Sequence, residues 1–242
     1  MPLPAIWKTS SQAPTRLTLP GVSATAYAVN AAGVVVGSGD TKNGIHALLW
    51  EGGTVKDLLT LGGASSTAYG INDSGDAVGV SQLQMGNCGP ACTSDHATIW
   101  RHNQPPVALH ELAPAAQTSS RALGINNPGT AVGSAQDTSG YIQGVVWTGE
   151  TVTQLPNLGG KASGARAINN AGHIVGQAMT TKRAVAAVWV EGKAWDLNEL
   201  IVPAKPNVYL TEGRGITNSD DIVAVGFDDG GRNYRVYLLT PR

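Results

Sequence analysis

The stretch at residues 70–79 reads Gly-Ile-Asn-Asp-Ser-Gly-Asp-Ala-Val-Gly, and it decides the fold because variants of it recur along the whole chain. Each copy has an aliphatic residue, an Asn or Thr, a turn, an apolar run and a glycine. The copies occupy residues 29–37, 71–79, 125–133, 168–176 and 216–226. Their Asn or Thr positions are 42, 54, 43 and 48 residues apart, a spacing typical of propeller blades and related arrays. The chain is therefore predicted to be a repeat protein.

Five of the six tryptophans keep a similar spacing. Trp7, Trp50, Trp100, Trp147 and Trp189 are 43, 50, 47 and 42 residues apart. The second repeat divides into four short candidate strands at 68–72, 77–80, 96–100 and 107–112, and four strands per repeat are typical of a propeller blade. The sequence predicts an all-β fold, a five-bladed β-propeller with four short antiparallel strands per blade, in a single domain over residues 1–242. The tryptophans that end strand three are predicted to fill the space between blades.

Strand one of each repeat is predicted to lie innermost, because small residues recur two and four positions before the Asn or Thr. These positions hold Ala28 and Ala26, Gly70 and Ala68, Gly124 and Ala122, Ala167 and Ala165, and Gly215 and Gly213. The Asn ends the strand at a hairpin turn, where its side chain can bond the turn backbone and Gly supplies a positive φ. The fifth copy has Asp220 at the glycine position, so its turn is expected to be of a different type.

The two ends of the chain are predicted to close the ring together. Residues 4–7 and 17–19 resemble strands three and four of a repeat without the preceding pair. The C-terminal region supplies strands one and two of the fifth repeat and then a further strand three at 234–239. One terminal strand is supernumerary on this count, and it either adds an outer strand or replaces its equivalent.

Composition argues against several classes of function. The formal net charge is -1 with acids and bases interspersed, so the basic surface of a nucleic-acid-binding protein is missing. The apolar runs are far shorter than the roughly 20 residues that span a bilayer, and no membrane insertion is expected. Residues 1–5 lack the pattern of a signal peptide. Cys88 and Cys92 lie in one Gly/Pro loop, where a disulfide is predicted and reduced thiols are the alternative.

The motifs resemble those of the bacterial HAF-repeat family. Its units carry a His-Ala strand ending in Trp, an Asp-Leu-x-x-Leu-Gly-Gly segment and then the Gly-Ile-Asn motif. The three pieces occur in this order as His46–Trp50, Asp57–Gly63 and Ala68–Asn72, and parts of them recur over nearly the whole chain. The resemblance implies an array of β repeats in a secreted or surface-exposed protein, and it brings no catalytic site. The motif His becomes Gln143, Val185 and Arg235 in later repeats.

Familiar catalytic strings such as Gly-x-Ser-x-Gly and His-Glu-x-x-His are absent, and neither a metal nor a cofactor is predicted. Function in repeat folds usually lies on loops. The loops between strands two and three differ from repeat to repeat and are predicted to rim one mouth of the ring. Variable positions inside that rim are predicted to form a polar funnel. The catalytic candidates are Tyr27, Tyr69, His46, His96, Arg166 and Arg214, and the ligand-binding candidates are Arg121, Gln143, Glu212 and Arg235.

Three hypotheses about function follow from these side chains. Arg binds carboxylates in a bidentate way and Tyr offers a stacking face to sugar rings, as a recognition module for carbohydrate or another extracellular polymer requires. The same groups could perform acid–base chemistry in a polysaccharide lyase or hydrolase. The third hypothesis is a protein-interaction platform, and the simplest alternative is that the polar residues only hydrate a channel. The sequence favours the binding module, as a monomer outside the cell or at its surface, and leaves an enzyme open.

Overall fold

The computed structural model describes residues 4–7, 13–18, 21–84, 93–113, 118–202, 207–228 and 231–242. Over these residues the fold is all-β, as predicted, and the one helix is the single turn α1 (Leu197–Leu200). Cys88 and Cys92 lie outside the described residues, so their disulfide stays a prediction. The chain divides into two compact units, of which the first holds residues 1–109 and 119–122 and the second holds residues 110–118 and 123–242.

The first unit contains a small hairpin and two four-stranded repeats. The hairpin is β1 (Ala5–Ile6) with β2 (Thr15–Arg16). The first repeat is the antiparallel series β3 (Ala24–Val29), β4 (Val35–Thr41), β5 (Gly44–Glu51) and β6 (Thr54–Asp57). The second is β7 (Gly62–Ile71), β8 (Ala77–Gln84), β9 (Thr93–Trp100) and β10 (Val107–Ala108). One parallel bridge, between Ile45 and Ser65, joins the two repeats into an eight-stranded sheet.

The second unit contains the other three repeats, although the first residues of β11 belong to the first unit. The third repeat is β11 (Ser120–Ile125), β12 (Ala131–Gln136), β13 (Ile142–Thr148) and β14 (Thr151–Gln154). The fourth is β15 (Gly159–Ile168), β16 (Ile174–Thr180), β17 (Ala184–Val190) and β18 (Lys193–Asp196). The fifth has three strands, β19 (Tyr209–Ile216), β20 (Ile222–Asp228) and β21 (Asn233–Leu239). Four strands per repeat are confirmed for the first four repeats, and closure of a five-bladed ring stays a prediction.

The motif Asn holds its own turn and the next repeat at the same time. In the fourth repeat the Oδ1 of Asn169 accepts the backbone N–H groups of Ala171 and His173 at 3.1 and 2.9 Å. Its Nδ2 donates to the backbone oxygen of Thr217, the corresponding residue of the fifth repeat, at 3.1 Å. The same side-chain bond to the following repeat runs from Asn30 to Asn72 and from Asn126 to Asn169. The predicted structural role is confirmed, and the link between repeats explains why Asn recurs.

The residue after the motif Asn or Thr forms a second bond between repeats. Its side-chain oxygen accepts a backbone N–H from the preceding repeat at 2.9 Å in three junctions: Ala31 to Asp73, Asn127 to Asn170, and Asn170 to Asn218. Asp and Asn both supply such an oxygen, which accounts for the alternation between them at this position. The turns therefore form a double ladder of hydrogen bonds at three junctions: first to second, third to fourth, and fourth to fifth repeat.

The fifth turn has the same conformation as the others, so the expectation drawn from Asp220 was wrong. Asp220 adopts φ +64°, close to the +85° of Gly172 in the fourth turn. Its N–H donates to the backbone oxygen of Thr217 at 3.1 Å, as the glycine N–H groups do in their own turns. A non-glycine residue is uncommon in this left-handed region. Contacts of the Asp220 carboxylate with Asn169 and His173, both at 2.7 Å, offset that cost.

The tryptophans that end strand three fill the space between repeats, as predicted. Trp50, Trp100, Trp147 and Trp189 are at most 3% exposed. Trp189 packs on Val132 and Leu155 of the preceding repeat, and its Nε1 donates to the backbone oxygen of Pro156 at 2.8 Å. An indole buried with its N–H bonded combines a large apolar area with a satisfied polar group. Trp7 shares the sequence spacing but is 64% exposed.

Strand one is crowded at two of the predicted small positions, Gly124 and Gly213, whereas among the described residues a Cβ at Gly215 would meet no atom within 4 Å. A Cβ added at Gly124 would lie 3.1 Å from the backbone oxygen of Arg166 in the next repeat, and one at Gly213 would lie 2.9 Å from the Cβ of Val175. These distances are at or below the limit of ordinary contact. Small residues at these points therefore allow strand one of one repeat to approach its neighbour.

Candidate functional site

Strand one of the first, second, fourth and fifth repeats carries a β-bulge three residues before the motif Asn or Thr. In the first repeat Ala26 pairs with Gly37 while Ala28 pairs with Val36, so Tyr27 is the extra residue. The corresponding register shifts place Tyr69, Arg166 and Arg214 in the other bulges. Bulges re-aim side chains and are common beside active sites. Four of the six catalytic candidates are therefore the bulged residues of their strands.

The second motif glycine allows strand one to bulge. A Cβ at Gly37 or Gly79 would overlap the backbone oxygen of Thr25 or Thr67, respectively, and a Cβ at Gly176 would overlap that of Gly164. Glycine is needed here for close approach of two backbones rather than for an unusual φ.

The fifth repeat departs from this pattern. Ala224 occupies the register of the second glycine, because it pairs with Gly213. Gly226 lies opposite Leu210, beside a further register shift at Thr211. Glu212 is consequently flanked by two irregular positions of β19.

In the first unit the bulges bring two tyrosine rings together. Tyr27 and Tyr69 meet edge to face, with ring centroids 5.2 Å apart and an interplanar angle of 68°. Tyr27 is 50% exposed. Arg121, near the start of β11, forms an ion pair with Asp95 of β9 at 3.0 Å. The charges of Arg121 and Asp95 both act on the Tyr69 hydroxyl. The partly exposed tyrosine pair therefore lies close to an ion pair.

The surroundings of Tyr69 oppose its ionisation. Burial raises the pKa of Tyr69 above the ordinary value of 10.0, and the Arg121 guanidinium acts against that rise. Tyr27 and Asp95 add to the rise, and a hydrogen bond with Thr67 opposes it. Tyr69 is therefore a neutral phenol near pH 7, which can donate and accept hydrogen bonds.

In the second unit two bulge arginines share one carboxylate. Arg166 Nε donates to Glu212 Oε1, and Arg214 Nη2 donates to Glu212 Oε2 at 2.8 Å. Glu212 is 7% exposed, whereas about half of each arginine side chain remains in solvent. Both carboxylate oxygens are engaged, and the cluster keeps a formal charge of one positive unit. Guanidinium groups in this state suit a planar anion such as a second carboxylate.

His46 and Gln143 lie inside their sheets, which corrects the prediction that they line an open funnel. They are 5% and 3% exposed. His46 Nδ1 lies 2.9 Å from Asp57 Oδ2, and Gln143 Oε1 accepts a hydrogen bond from Asn157 at 3.2 Å. Gln143 also donates to Asp137 at 2.7 Å, and this bond is the main cause that lowers the pKa of Asp137. Both side chains therefore hold the connections around strand three of their repeats.

His96 and Arg235 occupy the same position of strand three in the second and fifth repeats. His96 is half-buried, and its Nε2 lies 2.6 Å from Ser94 Oγ. Arg235 is exposed, and its Nε donates to Asp228 at 3.0 Å across the β20–β21 hairpin. Arg235 thus forms its ion pair with a residue of its own hairpin.

Two cation–tyrosine pairs were missed by the sequence interpretation. Lys161 Nζ lies 5.2 Å from the ring centroid of Tyr141, and Arg183 Cζ lies 3.9 Å from that of Tyr209. Each pair joins the connection between strands two and three of one repeat to strand one of the next. Aligning the repeats by their Asn or Thr would have shown that Lys161 and Tyr209 both stand eight residues before it.

Two further observations concern the described residues. None of their helices is long and apolar enough to cross a membrane. They also hold no group of three or more His, Cys, Asp or Glu residues arranged to bind a metal ion.

Residues 62–225 match the family described as protein of unknown function DUF3466. This match does not confirm the resemblance to the HAF-repeat family. Among curated proteins the chain has no match.

Several solved structures are similar to this chain at low identity and with TM-scores below 0.5. A mutant of the Aleuria aurantia lectin in complex with alpha-methyl-L-fucoside is 13% identical, with a TM-score of 0.43 over 90% of this chain and 77% of that chain. The fucose-specific lectin from Aleuria aurantia, in a mercury derivative, is 14% identical, with a TM-score of 0.43 over 90% of this chain and 78% of that chain. This likeness assigns no ligand to the present chain.

Proposed function

We propose that this chain, which belongs to the DUF3466 family because the match covers more than half of its residues, is a recognition module that binds carbohydrate through its strand-one bulges. The proposal includes a single five-bladed propeller domain, closed by strands from both ends and acting as a monomer outside the cell or at its surface. The observation that carries it is that the bulges present tyrosines in the first and second repeats and arginines in the fourth and fifth, while the turns beside them are repeated.

The tyrosine pair of the first unit supports a sugar ligand. Sugar rings have apolar C–H faces that pack on aromatic rings, and Tyr27 leaves half of its surface in solvent. Tyr69 adds a neutral hydroxyl that can bond a sugar hydroxyl. Aromatic surface beside a hydrogen-bonding group is a common composition for a small-ligand site.

The arginine pair of the second unit supports an acidic sugar. Arg166 and Arg214 each use only part of their guanidinium group on Glu212. Their remaining N–H groups can bind the carboxylate of a uronic acid. The proposed ligand class is therefore an acidic oligosaccharide or polysaccharide.

A lyase or hydrolase at the same residues has less support. Proton abstraction needs a group that is ready to accept a proton near neutral pH. Tyr69 has a raised pKa and is protonated there, and both oxygens of Glu212 are held by arginines. These contacts favour binding over catalysis.

Calorimetric titration with acidic and neutral oligosaccharides of equal length tests the proposal, for example oligogalacturonate and a malto-oligosaccharide. Saturable heat is expected, with tighter binding of the acidic chain. Arg166→Ala is expected to weaken binding of the acidic chain about tenfold, or about 1.4 kcal/mol. Tyr69→Ala is expected to weaken binding of both chains.

Arg101→Ala is the control, because Arg101 is also an exposed arginine but stands outside the bulges and outside the candidate site. It is expected to bind like the wild type. Equal affinities for Arg166→Ala and Arg101→Ala would contradict a site at the bulges. Continuing heat with the ultraviolet absorbance of an unsaturated sugar would indicate a lyase, and no heat with any oligosaccharide would favour a protein partner.

A further inference from the structure

An apolar cavity of about 820 Å³ lies between the fourth and fifth repeats of the second unit. Its walls include aliphatic side chains from both repeats: Val188, Val190, Leu197, Leu210, Ile216 and Ile222. This volume falls in the range of sites for small organic molecules, roughly 300–1,000 Å³. The lining is therefore suited to a largely apolar ligand.

The cavity lies where the other repeats have a buried tryptophan. Trp189 stands opposite Ile174 in the β16–β17 ladder, and Trp147 stands opposite Ala131 in the β12–β13 ladder. The same ladder position in the fifth repeat holds Leu239, opposite Ile222. Leu239 and Ile222 both line the cavity. A leucine side chain is smaller than an indole, so part of this space is what a tryptophan would fill.

The tryptophans at the corresponding positions of other repeats show which kind of group such a space accepts. Trp189 packs its flat ring against aliphatic side chains of two repeats and donates its N–H to the Pro156 backbone oxygen. Trp147 is buried in the same way and donates to the backbone oxygen of His110 at 2.7 Å. We propose that the space between the fourth and fifth repeats binds a small molecule with a flat aromatic ring and a hydrogen-bonding group.

Polar groups in the lining support the hydrogen-bonding part of that ligand. His173 and Asp220, which pair at 2.7 Å, belong to the lining and keep part of their side chains exposed. None of the bulge residues lines this cavity, so the proposed site is separate from the carbohydrate site and does not depend on carbohydrate binding.

The test uses the full chain and naphthol, a flat two-ring aromatic molecule with one hydroxyl donor, followed by fluorescence. One saturable site is expected. Leu239→Trp restores the side chain found in the other repeats, so it is expected to abolish naphthol binding and to raise the melting temperature. Val236→Trp is the matched control, because this residue of the same strand is exposed and is not part of the lining. It is expected to bind naphthol like the wild type.

Three outcomes would overturn the proposal. They are a wild-type chain that binds no naphthol, a folded Leu239→Trp variant with unchanged affinity, and equal affinity for the non-planar decahydronaphthol. If Leu239→Trp fails to fold, the smaller Leu239→Phe decides, with a loss of about tenfold expected. Unchanged affinity in Leu239→Phe would then overturn the proposal.

Discussion

In the fourth repeat, the turn residue Asn169 follows strand one and the bulge residue Arg166 lies within that strand, three residues earlier. Their side chains differ in burial and in bonding. Asn169 is buried, and its oxygen and nitrogen both bond backbone groups. Arg166 bonds Glu212 and leaves about half of its side chain in solvent. The recurring Asn therefore has its hydrogen-bonding groups satisfied within the fold. The bulge residue, which varies between repeats, keeps hydrogen-bonding groups that a ligand can contact.

The largest effect is expected from Gly176→Ala, which removes the close backbone approach that the bulge at Arg166 needs. The new Cβ would overlap the backbone oxygen of Gly164, so the bulge at Arg166 could form only if the strands moved apart. A loss of about 3 kcal/mol in the free energy of unfolding is expected, because backbone overlap relaxes poorly. Denaturant unfolding measures it.

Gly164→Ala is the matched control for this change. Gly164 lies in the opposing strand, and among the described residues no atom comes within 4 Å of a Cβ placed there. Little change in stability is expected. If Gly176→Ala were as stable as Gly164→Ala, the glycine would not be what permits the bulge.

A smaller effect is expected from Asn169→Ala, which breaks the double ladder but leaves the bulge in place. The substitution leaves buried backbone groups of two turns without partners, so about 2 kcal/mol of unfolding free energy should be lost. Asn43→Ala, at an exposed hairpin position, should change stability by less than about 0.5 kcal/mol. Oligosaccharide affinity of the folded Asn169→Ala protein should match the wild type. A cost no larger than that of Asn43→Ala would show that the ladder does not stabilise the fold.

The smallest effect concerns the bulge residue Tyr69 and sharpens the comparison through pH. Subtracting the ultraviolet titration of Tyr69→Phe from that of the wild type is expected to give a pKa above 10.0 for Tyr69. The unfolded chain loses this proton first as pH rises, so the stabilising contribution is complete below the unfolded pKa and is lost through the folded pKa.

Arg121 supplies the check on this titration. Its positive charge lowers the pKa of Tyr69, so Arg121→Gln should raise that pKa further. Lys42→Gln, which changes an exposed cation on the β4–β5 hairpin, should leave it in place. A Tyr69 pKa at or below 10.0, or an unchanged value in Arg121→Gln, would contradict the described surroundings of Tyr69.

The repeated features were predictable because each depends on a short stretch of sequence that occurs several times. The Asn turn and the tryptophan at the end of strand three behave as their spacing indicated. Apolar and small residues near the Asn also indicated strands one to three of the second repeat, although β7 begins at Gly62 rather than Ala68 and β9 at Thr93 rather than His96. The turn makes the same pair of backbone hydrogen bonds in every repeat, so one interpretation covers all five turns.

The site was harder to predict because bulges and pairings depend on contacts distant in sequence. An alternation of side chains does not reveal that Tyr27 or Arg166 is an extra residue, since a bulge shows only in the register with the opposing strand. His46 was predicted to line the funnel because its contact with Asp57, eleven residues further along the chain, is not visible in the sequence pattern. Asp220 kept the turn that glycine usually makes because its carboxylate meets Asn169 and His173 of the previous repeat.

The double ladder of the turns has a direction, because a repeat offers its carboxamide N–H forward and receives one from behind. A complete extra copy placed between two others would find partners on both sides, whereas a partial copy would leave an amide without its carbonyl. Changes in the number of turns are therefore expected to come as whole repeats, whereas the spacings of 42, 54, 43 and 48 residues show that the connections outside the turns vary in length. Thr217 has no carboxamide, and its hydroxyl bonds Ser219 and Asp221 of its own turn. The fifth turn therefore lacks the carboxamide N–H donor that Asn supplies in the ladder.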